Sequence, residues 1–108
     1  MQVYRIYVGC NVPDNAPLEP GVVEEVGIRR CPFDGCTIQH VTGVWKGEKE
    51  KTVVFEHIGP ASDLRYNEVL QWAKLLRLEL HQESVLVTRA WLSSYQFVEV
   101  TRRDTGTA

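Results

Sequence analysis

No apolar run in this chain approaches the roughly 20 residues that a helix needs to cross a bilayer, so no membrane partner is expected. There is no excess of basic charge either. Twelve Lys and Arg face fourteen Asp and Glu, for a net charge of −2 and a sequence pI of about 5.9. That balance leaves no global field for duplex nucleic acid. Cysteine is scarce and odd in number, at three, which argues against a disulfide framework. Cys10, Cys31 and Cys36 read as thiols of a cytoplasmic protein. The first residues, MQVYRIYVG, lack the charged, apolar and small-residue order of a signal peptide and instead enter a strand. Phosphate loops, dinucleotide Gly-x-Gly-x-x-Gly motifs and zinc-hydrolase helices are missing too, and no cofactor is expected. A chain of 108 residues has room for one core. We assign 1–101 to a single domain and expect 102–108, TRRDTGTA without its first residue, to be a disordered tail.

What is present is patterned. In VYRIYVGC (3–10), Tyr4, Ile6, Val8 and Cys10 alternate with Val3, Arg5, Tyr7 and Gly9. That is a strand with apolar groups on both faces, hence a central one. NVPDNAPLEP (11–20) is a loop, because its prolines and asparagines forbid regular structure. GVVEEVGIRR (21–30) fits a short amphipathic helix, weakened by Gly27 and its valines. Pro32-Phe33-Asp34-Gly35 turns the chain into a hairpin. One arm carries Thr37, Ile38, Val41, Thr42, Val44 and Trp45, and the other Thr52, Val53, Val54 and Phe55. Between them Lys46 to Lys51 is too polar to bury, and Gly47 accepts the positive φ of a tight turn. After Gly59-Pro60, Ser62 or Asp63 caps a helix over 64–81. Its stripe is Val69, Trp72, Ala73, Leu76 and Leu80. SVLVTRA (84–90) is a further strand, and SYQFVEV (94–100) is apolar enough for a short edge strand.

This order is satisfied by an α+β ferredoxin-like βαββαβ plait: an antiparallel sheet with two helices on one face. The uncovered face, carrying Val3 and Tyr7, would favour a homo-oligomer, either a trimer or a dimer.

Several residues are candidates for a site. Lys46, Lys49 and Lys51, interleaved with Glu48 and Glu50, are either a solvated turn that protects a sheet edge or a lysine cradle for phosphate. In the second reading Gly43 and Gly47 admit close backbone approach, and Arg29 or Arg30 completes the site. Trp45 and Trp91 are read first as packing residues, with stacking on a base left open for both. Cys31, Cys36 and His40 are spaced wrongly for a zinc knuckle and are read as packed thiols beside a strand histidine. Cys10 has no motif that would activate it as a nucleophile. His40 and His57 lie on facing strands, where they serve packing, hydrogen bonding or acid–base chemistry.

The stretch Thr42-Gly43-Val44-Trp45-Lys46-Gly47-Glu48, with Glu50 and the strand TVVFEHI, resembles the hairpin region of PII-like proteins. Phe33 to Thr37, Phe-Asp-Gly-Cys-Thr, is similar to members of the same superfamily. The resemblance implies a ferredoxin-like trimer that binds nucleotides or other small anions in clefts between subunits. The loop between the middle strands is shorter here than the long mobile loop of the signalling members. The expected function is a small non-enzymatic module that binds an anionic, nucleotide-like ligand at a subunit interface through Arg29, Arg30, Gly43, Trp45, Lys46, Gly47 and Lys51. Two alternatives stay open: a protein-interaction module without ligand, and a small enzyme using His40 or His57.

Overall fold

The computed structural model describes residues 1–98. In chain order the elements are β1 (Gln2–Gly9), α1 (Pro20–Arg30), β2 (Thr37–Trp45), β3 (Glu48–Gly59), α2 (Asp63–Glu79) and β4 (Leu86–Trp91). The strands form one sheet in the order β2-β3-β1-β4, and each neighbouring pair is antiparallel. This is an α+β architecture consistent with a small ferredoxin-like fold. β1 is central, as its two-sided alternation predicts. The appended edge strand does not form within the described residues, because 94–98 adopt no strand. Residues 99 and 100 of that segment, the 101 boundary and the 102–108 tail lie outside the described residues.

The core lies between one sheet face and the helices. Tyr4, Ile6, Val8 and Cys10 meet Val53 and Phe55 from the sheet, Val23 and Val26 from α1, and Val69, Trp72, Ala73, Leu76 and Leu80 from α2 and its end. The predicted α2 stripe is therefore the buried stripe. Ser62 caps α2, its Oγ accepting the Arg65 backbone N–H at 3.0 Å. Trp72 crosses to α1 and donates its indole N–H to the Gly27 carbonyl at 3.1 Å. Gly27, which weakens α1 by propensity, is there for proximity: a Cβ would overlap the Phe55 ring. The close approach of α1 to the sheet outweighs the roughly 1 kcal/mol propensity cost of glycine.

The hairpin turn is tighter than the six-residue polar segment anticipated. Lys46 (φ 51) and Gly47 (φ 79) alone make it, the positive-φ pair that matches strand twist. Glu48 to Lys51 continue the ladder opposite Trp45, Val44, Gly43 and Thr42. They can do so because their charged side chains keep access to water: Glu48, Lys49 and Lys51 are exposed and Glu50 is half-buried.

Candidate active site

The two sheet faces place the candidate residues apart. On the helix face, Arg89, Tyr4 and His57 are cross-strand neighbours. His57 is held from both sides. Its Nδ1–H donates to the Gly35 carbonyl at 3.2 Å, and its Nε2 accepts from Arg65 at 2.6 Å. Phe33 stacks on the ring, with centroids 3.7 Å apart. Burial, followed by the Arg65 charge, lowers the His57 pKa against the opposing pull of the Gly35 hydrogen bond, so the ring stays neutral. His40 pairs instead with Glu24 of α1 at 2.7 Å. Its ladder partner is Val53, four residues before His57. The two histidines therefore do not meet, and neither lines the groove described below. Acid–base catalysis by either is not supported.

The thiols are also packing groups. Cys10 is buried, and burial, then the Glu50 charge, raises its pKa, which opposes a nucleophilic thiolate. Burial and the adjoining Cys31 thiol push Cys36 up to about 11. Among the described residues, no three His, Cys, Asp or Glu side chains converge as a metal site.

The opposite sheet face carries a groove of about 450 Å³, within the range of small-molecule sites. Tyr7 and Trp45 supply its aromatic surface, and Glu48, Glu50, Glu83 and Lys46 its charge. Lys46 is already paired with Glu83 at 3.3 Å. Three carboxylates against one engaged ammonium make a site for a cation. Glu50 is the best-placed group. It is directly opposite Gly43 on β2 and diagonal to Gly9 on β1, whose ladder partner is Thr52. Its Oε2 accepts the Asn11 backbone N–H at 3.1 Å. Neither glycine is bare: the Glu50 carboxyl group lies over Gly9, and Thr52 Oγ1 lies over Gly43, so both glycines make room for side chains of the neighbouring β3 strand.

The structure gathers only some of the anticipated ligand residues. Gly43, Trp45 and Lys46 line the groove. Gly47 forms the turn beside it. Lys51 alternates with Thr52 and Glu50 and so projects to the face of Val53. Arg29 and Arg30 are both committed to Glu79 in the last turn of α2 and hold its carboxyl below the usual range. The phosphate cradle is not assembled, because its cations sit on different faces and most have carboxylate partners. Tyr7, Gly9, Glu50 and Glu83 were not singled out from sequence as ligand residues. The legible hint was glycine inside strand patterns at positions 9 and 43, which marks close approach.

Val3, expected to await a second copy, is already 4% exposed in the single chain. The large apolar strand residues left open on this face are Val41, Trp45, Ile58 and Leu86. No helix among the described residues is long and apolar enough to cross a membrane.

No family model matches the chain, and no curated protein matches it, so membership of the PII-like superfamily gains no support beyond the shared fold class. Solved structures do match. One is a phage SAM lyase in the apo state, with a TM-score of 0.68 and 26% identity, covering 82% of this chain and 78% of that one. Another is a phage SAM lyase in complex with S-methyl-5'-thioadenosine, with a TM-score of 0.65, the same identity and the same coverage. These likenesses overturn the expectation of a non-enzymatic anion-binding module. The structures that the chain resembles are those of an enzyme, and the groove is acidic where an anion site would be basic.

Proposed function

We propose that this chain is an enzyme that cleaves S-adenosylmethionine (SAM) in the groove on the open sheet face, releasing S-methyl-5'-thioadenosine. The observation that carries the reading is the match between groove and substrate. A sulfonium nucleoside has a cationic sulfur and a flat base. The groove offers the Glu50 carboxylate between two glycines, with Trp45 and Tyr7 beside it. Carboxylates and aromatic faces both attract an onium centre. The likeness to phage SAM lyase, one example holding S-methyl-5'-thioadenosine, supports the same choice.

In the proposed reaction the bond from sulfur to the aminobutyryl carbon breaks, and its electron pair stays on sulfur, which becomes a neutral thioether. A lyase adds no water. The four-carbon fragment therefore completes its valence internally, by closure of its own carboxylate onto that carbon, which forms a lactone and transfers no proton. Positive charge on sulfur fades along this path. Glu50 thus contributes chiefly to binding and orientation, since a carboxylate stabilises the charged ground state at least as well as the transition state. Trp45 and Tyr7 bind the nucleoside.

The reading includes a cytoplasmic location, where thiols stay reduced. It also includes self-association across Val41, Trp45 and Leu86, which would narrow the open groove. The test is incubation of the purified chain with SAM and mass detection of S-methyl-5'-thioadenosine. Product formation that scales with enzyme supports the reading, and no product above the spontaneous rate at high enzyme overturns it.

A further inference from the structure

The Glu50 carboxylate is not simply placed by its own strand; neighbouring backbone shapes the space that it occupies. A Cβ built on Gly9 would lie 2.5 Å from Glu50 Cδ and Oε1, well inside contact distance, so any larger residue at position 9 must move the carboxyl group. Two residues on, the Asn11 N–H donates to Oε2 at 3.1 Å, which leaves Oε1 for the groove. The backbone between is fixed by the Cys10 N–H on the Lys51 carbonyl at 2.8 Å. Across the other flank, a Cβ on Gly43 would stand 3.9 Å from Glu50 Cγ, in ordinary contact, and 2.6 Å from Thr52 Oγ1. The tight constraint on the carboxyl group therefore comes from the β1 side.

We infer that Gly9, together with the Asn11 N–H, is the positioning element of the proposed site: a seat that holds the Glu50 carboxylate at the point where a sulfonium substrate must present its charge. This deepens the proposed function and rests on it. Position 9 carries no positive φ that would demand glycine. Strand propensity alone would make alanine neutral or better there. The glycine is explained by the carboxylate lying over it.

The experiment compares wild type, Gly9→Ala, Glu50→Asp and the double variant, each verified as folded by its melting transition. The readouts are KM for SAM and calorimetric affinity for neutral S-methyl-5'-thioadenosine. Gly9→Ala should raise KM for SAM by about ten-fold or more, the size of one charge-assisted contact, while affinity for the thioether changes much less. Glu50→Asp alone should lose reach and behave similarly. In the double variant the shorter side chain withdraws from the new methyl, so its KM should be several-fold better than the product of the two single effects. Gly9→Ala with wild-type KM, or effects that simply multiply, would overturn the seat while leaving SAM cleavage intact. Absence of cleavage by wild type is a separate result that removes the proposed function. In that case the Asn11 amide resonance still decides whether the seat exists. It should shift in Gly9→Ala and in Glu50→Ala if the hydrogen bond is held as described, and an unmoved resonance in both would refute it.

Discussion

Replacing Glu50 by Gln separates charge recognition from shape recognition, because SAM and S-methyl-5'-thioadenosine share a nucleoside and differ in charge at sulfur. The amide keeps nearly the volume of the carboxylate and retains an oxygen for the Asn11 N–H, so the groove should survive. What it loses is the attraction for a cation. Two unit charges about 4 Å apart interact by roughly 4 kcal/mol at an effective dielectric of about 20. Desolvation and the open, water-accessible groove reduce that. A charge-assisted contact of about 1.5–3 kcal/mol is the realistic remainder. This corresponds to roughly 10- to 150-fold weaker apparent binding of SAM, while the neutral thioether should lose less than about three-fold. Raising the salt concentration should weaken SAM binding in wild type and matter less in the variant. Initial-rate kinetics gives KM for SAM, and calorimetry gives the thioether affinity. Equal losses for both ligands would show that Glu50 supports the groove's shape and not its charge selectivity. No loss for either would place the sulfonium elsewhere.

Leu76 is fully buried on α2, so Leu76→Ala should cost about 2–5 kcal/mol in chemical denaturation; a change below about half a kcal/mol would contradict its place in the core. Gly27→Ala should destabilise by about 1–3 kcal/mol through overlap with Phe55, against the gain that helix propensity alone predicts. The folded-state pKa of His57 is depressed, so its share of stability is present above its unfolded pKa of about 6.5. That share is lost as pH falls through that value toward the lower folded one. Denaturation midpoints from pH 7.5 to 5 should therefore fall less steeply in His57→Gln, and parallel slopes would contradict the locked neutral ring. Sedimentation at micromolar concentration should reveal an oligomer that Val41→Glu weakens, and a monomeric wild type would remove self-association from the proposal.

Much of the fold was legible because it rests on local rules. Alternation in residues 3–10 marked β1 and its central place. The stripe through Val69, Trp72 and Leu76 marked the buried face of α2, and Gly47 marked the hairpin turn. The length of that turn was misread because charge at positions 48–51 resembles loop composition. A strand whose side chains stay in contact with water can carry those charges and remain a strand.

The site was less legible, for a reason that also separates the two levels of information. The sequence by itself determined periodicity, and with it which residues share a strand face or a helix stripe, since backbone geometry sets those repeats at two and 3.6 residues. Only the tertiary structure decided which charges meet. Arg29 and Arg30 share Glu79, some fifty residues away, Lys46 pairs with Glu83, and of these cations only Lys46 lines the groove, which is left acidic. Gly9, Gly43 and Glu50 become one site only when β3 lies between β1 and β2, because contact across a sheet depends on strand order and register. Electrostatics and steric exclusion act through space, and in this chain folding brings Glu50 between two glycines that sequence separation keeps apart.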